Sequence, residues 1–331
     1  MAPPRPAEGS TAAVAPATAP QIDPACMALR RQHFADRIDF HAPGLKRYAT
    51  SEYRGHDCAE FVAISLTGSA CALSCAHCET RVLEGMDDLP ASGMSLFDRC
   101  AALEAQGARG VLISGGNDLR GRVPLRPHLA DLRRVREELG MLVRVHPGLP
   151  DDETCEALGA IGIDGAMVDV IGDVDTIREV YHLDSQPADF EAMLARLARH
   201  GVPAVPHIVL GLHFGKMRGE YHALEMVARH ARRLLVLVVL MPLSGTAMAG
   251  VTPPPIEQIA SFFSLARLTL PDTPVMLGCA RPLGSLKAEI DRAAVDAGLN
   301  GIAYPAEGIV GYAQARGLQP VFTNACCGVT W

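Results

Sequence analysis

The sequence predicts an α/β protein built on a parallel sheet, and two observations carry that reading. Short apolar runs of strand length alternate with amphipathic helical runs from residue 61 onward. Eight such units over about 250 residues are what a complete (β/α)8 TIM-type barrel needs. A doubly wound open sheet shares the same periodicity and is the alternative that the pattern alone leaves open.

Taken in order, residues 1–24 are rich in Pro and Ala, with no cationic start leading into an apolar stretch, and are expected to be a disordered tail rather than a signal or an anchor. Residues 25–60 form an N-terminal extension, expected as a helix and then a loop over the body. The barrel itself is expected over 61–316. Strands are predicted at 61–67, 110–116, 142–146, 165–171, 203–210, 234–243, 275–279 and 301–304, each an apolar run bounded by Gly, Pro or charge. Helices are predicted between them at 95–106, where Leu96, Cys100 and Leu103 share a face, and at 126–139, 151–160, 173–182 and 187–200. Further helices are expected at 220–233, 256–268, 286–297 and 306–315. Residues 317–331 are left as a C-terminal tail.

The bulk numbers limit function. A chain of 331 residues can bury about three-quarters of its unfolded surface and needs no disulfides. Its ten cysteines therefore read as metal or redox ligands in a reducing compartment, and the cytoplasm is the expected location. A net charge of −7, one tryptophan and no basic run argue against a nucleic-acid partner. The longest apolar run, 234–243, is far short of a membrane span, so no membrane role is expected.

Cys71, Cys75 and Cys78 make a CxxxCxxC set directly behind the first predicted strand. Three thiolates are one short of a closed tetrahedral zinc site. They are also one short of the four that a cubane iron–sulfur cluster takes, so one iron would stay open to a chelating amine and carboxylate. A zinc half-site completed elsewhere, or three buried thiols, are the competing readings. In a parallel barrel the site lies at the carboxyl ends of the strands, and several ends are unusual. One is Ser114-Gly115-Gly116-Asn117, whose glycines allow close backbone approach. Asp169 is a carboxylate inside an apolar run, so it either meets a ligand or is tied to a neighbour. His146, before Pro147-Gly148, reads as a capping or core-satisfied histidine. Cys279 and Arg281 end the seventh strand, where a thiol and a guanidinium suit cluster, sulfur or carboxylate binding better than packing. Cys326 and Cys327 follow the last helix, and the tail is expected to travel back to the barrel mouth. Cys100 and Cys155 read as core thiols, and Cys26 and Cys58 are undecided.

The cluster loop resembles the signature of the radical SAM enzymes, in which a reduced [4Fe–4S] cluster cleaves S-adenosylmethionine (SAM). Together with 64–68, 83–86, the Ser-Gly-Gly, Pro-His-Ile and Gly-Cys-Ala-Arg-Pro stretches and the Cys-Cys pair, the chain from about residue 40 to 328 looks like the archaeal-type two-component lipoyl synthase family. The resemblance implies a radical SAM barrel with Cys71, Cys75 and Cys78 holding the SAM-binding cluster. It implies that Gly115 and Gly116 meet the methionyl amine of SAM, with Asn117 where the family has an acidic residue. Ile208 and Gly211 match the adenine-contacting stretch, with Pro206 in place of its first glycine. The run from Pro242 to Thr246 is similar to one in biotin synthase. The implied reaction inserts sulfur at C6 and C8 of a protein-bound octanoyl chain. An auxiliary [4Fe–4S] cluster on Cys279, Cys326 and Cys327, with Cys58 in reserve, would donate the sulfur. The implied partners are an octanoylated lipoyl-carrier protein or peptide, a second radical SAM subunit, and a reducing flavodoxin or ferredoxin. The alternatives are another radical SAM reaction (methylation, rearrangement or biotin-like sulfur insertion) or a non-catalytic iron–sulfur partner subunit.

Overall fold

A computed structural model describes residues 22–43, 48–53, 60–231, 233–327 and 329. The chain runs α1 (Ala25–His33), β1 (Arg37–His41), β2 (Phe61–Ser65), β3 (Asp87–Asp88), α2 (Leu89–Ser92), α3 (Leu96–Glu104), β4 (Gly110–Ser114), α4 (Leu129–Glu138) and β5 (Leu142–Val145). It continues α5 (Asp152–Ile161), β6 (Gly165–Asp169), α6 (Val174–Glu179), α7 (Pro187–Arg199), β7 (Ala204–Leu210), α8 (Glu220–His230), β8 (Leu235–Val239) and α9 (Ile256–Thr269). The last elements are β9 (Val275–Leu277), α10 (Ser285–Asp296), β10 (Gly301–Ala303), α11 (Ile309–Ala315) and β11 (Gln319–Thr323). Helix starts follow from local chemistry. The side chains of Ser95, Asp151 and Asp173 each accept the backbone N–H three residues on, and Gln186 with Asp189 forms a capping box.

The strands form one sheet in the order β11-β1-β10-β9-β8-β7-β6-β5-β4-β2-β3, and every pairing of named strands is parallel. The eight expected strands follow one another through it in sequence order, as a repeated βα unit requires, and the sheet is curled but ends on β11 and β3, which do not pair with each other among the described residues. Near the seam, Asn324 beyond β11 donates from Nδ2 to Glu60 Oε1 at the start of β2, at 3.1 Å. That meeting of a strand end with a strand start is what barrel stagger produces.

Alternation along each strand builds two cores. In β8, Leu235, Leu237 and Val239 face the helices, whereas Val236 and Val238 face inward. Phe61, Ala63, Leu112, Met167, Val205 and Met276 share that inner core. Among the described residues no helix is long and apolar enough to cross a membrane.

Three strands depart from the sequence expectation. The N-terminal extension supplies β1, inserted between β10 and β11, where a loop was expected. Ile38 and Phe40 are its buried outward residues, and that alternation was present in the sequence. The C-terminal stretch expected as a tail returning to the barrel mouth pairs with β1 as β11, and β3, after the cysteine loop, pairs alongside β2. Of the disordered tail expected over 1–24, residues 1–21 lie outside the described residues, as does Cys58, whereas Ile22 packs on the core and Asp23 N donates to Ser264 Oγ at 3.2 Å.

Candidate active site

The loop between β2 and β3 carries Cys71, Cys75 and Cys78 at the carboxyl end of the barrel. It is fixed to the sheet by backbone bonds. Ala72 N donates to Asn117 O at 2.8 Å, and Ala76 N to Val180 O at 2.8 Å. The Thr67 hydroxyl accepts from Gly116 N at 2.7 Å and donates to Ala70 O at 2.9 Å. Ser74, Glu79 and Thr80 all have positive φ, so the loop curls back on itself around its sulfurs.

The thiols sit in distinct surroundings. Cys71 is partly exposed, and its Sγ accepts the backbone N–H of Asn117 at 3.3 Å. Cys75 is buried, and its sulfur lies 3.8 Å from Tyr181 O. The hydrogen bond with Cys75 lowers the Cys78 thiol from its ordinary value, with help from the Thr80 backbone N–H. The same bond, then burial, raises Cys75. Leu73, Cys75 and Ala76 pack with Ile171, Ile177 and Val180, which ties the loop to the β6–α6 region.

Gly115 and Gly116 differ. A Cβ on Gly116 would stand 1.9 Å from Ala70 O and 2.6 Å from Cys71 Cα, so this glycine is needed where the loop crosses the strand end. A Cβ on Gly115 would meet Thr67 Oγ1 at 3.3 Å, a contact that a small shift relieves. Ser114 is buried, and its carbonyl accepts Leu66 N. Asn117 holds the loop through both backbone groups, and its buried Oδ1 has no hydrogen-bond partner.

Beside these residues a cavity of about 70 Å³ is bordered by Leu73, Gly115, Asn117, His146, Asp169 and Tyr181. Asp169 accepts from the Tyr181 hydroxyl at 2.8 Å, and burial followed by the Asp169 charge pushes that phenol well above its ordinary value. His77 is tilted against Tyr181, their ring centres 5.1 Å apart, and its buried Nδ1 has no hydrogen-bond partner. His182 Nδ1 lies 2.9 Å from Leu73 O. The sequence offered no signal for Tyr181 or His182, which it placed in the helix expected over 173–182; α6 ends at Glu179, and both lie in the irregular stretch after it. His77 was within the motif and passed over.

The remaining expected site residues are scattered. Ile208 is buried in the layer between sheet and helices rather than among the inward-facing residues. Gly211 has φ +76°, and a Cβ there would stand 2.4 Å from Pro254, so packing accounts for the glycine. Its N–H donates to the buried carboxylate of Glu220 at 2.8 Å. Cys279 is exposed. Arg281, expected at the rim to hold sulfur or a carboxylate, is 1% exposed and already committed. It pairs with Asp291 through Nε (2.6 Å) and Nη2 (3.1 Å) and donates to the carbonyls of Gly278 and Tyr304. A guanidinium so enclosed is a structural tie between β9, α10 and β10, and its role as a rim ligand is withdrawn.

Cys326 and Cys327 are likewise not at the mouth. Both are buried in the inner core, their sulfurs 3.9 Å apart and hydrogen-bonded to each other. Arg144 Nη1 lies 3.5 Å from Cys327 O, and the Cys327 thiol senses the charge of Cys279. The three cysteines are thus neighbours, but two are packed among apolar side chains and the third faces solvent.

The sequence matches no protein-family model, and no curated protein matches it. Solved structures share its fold. A methylornithine synthase (PylB) aligns at TM-score 0.60 and 14% identity over 90% of this chain and 87% of its own. The [FeFe]-hydrogenase maturase HydG aligns at 0.61 and 13% over 89% of this chain, which spans 66% of HydG. SuiB of Streptococcus suis bound to S-adenosylmethionine aligns at 0.50 and 14% over 71% of this chain, which spans about half (52%) of it. These likenesses establish the architecture alone: the curled parallel α/β sheet with outer helices that those proteins share.

Proposed function

We propose that this chain is a radical SAM enzyme, with Cys71, Cys75 and Cys78 holding a [4Fe–4S] cluster that binds SAM through its open iron. The observation that carries the reading is the loop itself: three cysteine side chains at the carboxyl end of a barrel of this kind, with a backbone N–H already aimed at one sulfur. Among the described residues no three His, Cys, Asp or Glu side chains are gathered as tightly as a single metal ion needs. A cubane instead binds each thiolate through a different iron, so a wider set suits it. The residues fit that group in donor type and number, and the unpartnered Asn117 Oδ1 and His77 Nδ1 supply polar atoms for a ligand beside it. When bound and reduced, such a cluster supplies the electron that cleaves SAM to methionine and a 5′-deoxyadenosyl radical.

The chain's own residues do the rest. Asn117 and Thr67 hold the loop, Gly116 lets it cross the sheet, and the His77–Tyr181–Asp169 group borders the space beside it. Leu73 and inward-facing Met167 line the cavity together with the polar side chains of Asn117, His146 and Asp169.

The finer reading is sulfur insertion into an octanoyl chain on a carrier protein. The motif resemblance and the apolar inward faces of the barrel support it. An auxiliary cluster on Cys279, Cys326 and Cys327 does not fit the chain as folded, because apolar side chains fill the space round the pair. No step is derived through it. SuiB has also been solved with its precursor peptide SuiA, at TM-score 0.51, which favours a peptide-borne substrate over a free metabolite.

The test is anaerobic reconstitution with iron and sulfide, reduction with SAM and an octanoylated carrier peptide, and mass spectrometry. Formation of 5′-deoxyadenosine that is lost in the Cys71/Cys75/Cys78→Ala variant is the expected result. A sulfur-mass gain on the peptide is expected for the finer reading. Survival of 5′-deoxyadenosine formation in the triple variant would overturn the cluster assignment. Cleavage of SAM without sulfur gain would leave another radical SAM reaction.

A further inference from the structure

Cavities of ligand size open at both ends of the barrel. One, of about 680 Å³, is lined by Cys71, Gly116 and Asn117 and belongs to the candidate active site. Another, of about 340 Å³, is bordered by Arg37, Asp39, His41, Arg233, Met276 and Asn300. These residues lie on β1, just before β8, on β9 and just before β10. Because the strands are parallel, this opening is at their amino ends, on the face opposite the cysteine loop. Both volumes fall within the roughly 300–1,000 Å³ of pockets that take small ligands.

In a barrel of parallel strands the amino end serves stability rather than chemistry, so apolar packing is the expectation there. The wall of this cavity is polar instead. Ile38 and Phe40 of β1 face the helices, so Arg37, Asp39 and His41 alternate onto the inner side and run from the rim to the deep end. Arg37 Nε pairs with Asp39 Oδ1 at 2.6 Å. Arg233 is exposed at the rim and has no ion pair among the described residues. Asp39 is the one carboxylate among the described residues bordering the cavity, so the positive charge is in excess. Asn300 Oδ1 accepts from Arg267 Nη2 and from Val275 N at 3.0 Å, so the Nδ2 donors are the uncommitted end of that amide. At the deep end His41 is fully buried, and neither ring nitrogen has a hydrogen-bond partner. Burial keeps the imidazole neutral, with one N–H and one lone pair. Orphaned polar atoms of this kind are rare in folded chains. A hydroxyl suits either nitrogen, since it accepts from an N–H and donates to a lone pair.

We propose that this cavity is a second ligand site, for a small hydroxylated anion. A phosphate or carboxylate group would be held at the rim by Arg233 and Arg37, whose guanidinium geometry matches either oxyanion. The hydroxyl would reach His41, and Leu234, Pro274 and Met276 would cover the carbon atoms between. The site is separate from the cysteine loop and holds whichever reaction that loop supports.

Calorimetric titration of the full chain tests it without iron or SAM. The probes are glycerol 3-phosphate and, separately, 3-hydroxybutyrate. At least one should bind at a single site with a Kd of about 1 mM or tighter, and which of them binds distinguishes a phosphate from a carboxylate ligand. The hydroxylated probe should bind more tightly than its counterpart without the hydroxyl, n-propyl phosphate or butyrate. His41→Phe, which keeps a ring and deletes both nitrogens, should abolish that preference. Arg233→Ala removes an exposed, unpaired side chain, so it should weaken binding at least about tenfold with the melting temperature unchanged. Arg134→Ala, on the exposed face of α4, should leave the affinity as it was. No binding of either probe at about 10 mM, or equal weakening by Arg233→Ala and Arg134→Ala, would end the proposal. Equal affinity of the parent chain for hydroxylated and bare probes would overturn the part given to His41.

Discussion

Gly115 and Gly116 are adjacent, yet only one is under steric obligation. Gly116→Ala should push the loop off the strand end and lose most of the iron taken up on anaerobic reconstitution, whereas Gly115→Ala should retain it. Equal iron content in the two variants would remove the distinction. The sequence marked both glycines as places of close approach, but it could not say that the approaching group is the chain's own Ala70 carbonyl. His41 makes a different residue-level statement. It is fully buried on β1, where neither ring nitrogen has a hydrogen-bond partner, and burial lowers its pKa to about 3, with Arg144 and Arg37 adding to the shift. A histidine whose folded pKa is depressed stabilises the fold fully above its unfolded value of about 6.5 and loses that contribution as pH falls. Stability should therefore drop by a few kcal/mol between about pH 6.5 and 3. His41→Gln should flatten that part of the profile, as measured by urea midpoints at several pH values. An unchanged slope would mean that the imidazole is charged in the folded chain.

Among the elements, the Arg281–Asp291 tie decides how β9, α10 and β10 are assembled. Both side chains are essentially unexposed, and Lys287 adds a second cation to Asp291 at 3.2 Å. Removing one member of such a pair leaves a buried charge alone and costs about 3–5 kcal/mol. Asp291→Ala should lower chemical stability by that order and leave the iron-binding loop intact in whatever fraction folds. A loss of iron binding with unchanged stability would restore Arg281 to the site. Its position before a proline at a strand end looked functional in sequence, because nothing local reveals a partner ten residues on. The same limit hid β1 and β11, which are short and carry charge or proline: β1 acquires its role only by pairing with β10 and β11, and β11 only by pairing with β1.

At the scale of the molecule, the sequence was most informative where local pattern and global fold agree. Eight apolar runs at βα spacing, from 61–67 to 301–304, are the eight strands of the barrel in order. Cys71, Cys75 and Cys78 were legible because ligand spacing is a local property. Cys326 and Cys327 were seen as a pair, but their burial inside the barrel depends on a turn after β11 that no residue pattern announces. Whole-molecule behaviour should follow the cysteine loop only weakly. The Cys71/Cys75/Cys78→Ala variant should keep its far-UV circular dichroism and melt within a few degrees of the parent, since Leu73 and Ala76 still pack with Ile171 and Val180. A collapse of structure would make the loop part of the folding core.

The insertion of β1 between β10 and β11 has a consequence for how the chain is made. The first of the described strands to be synthesised, β1, finds its partners only when β10 and β11 have emerged, so until then both its edges stand open. Contacts between opposite ends of a chain close slowly, because their loop entropy must be met before the pairing is gained. Sealing of the barrel wall should therefore be the late step of folding, following the formation of β2 to β9, and a waiting edge strand is the point at which a nascent or refolding chain would pair with a neighbour instead of with itself.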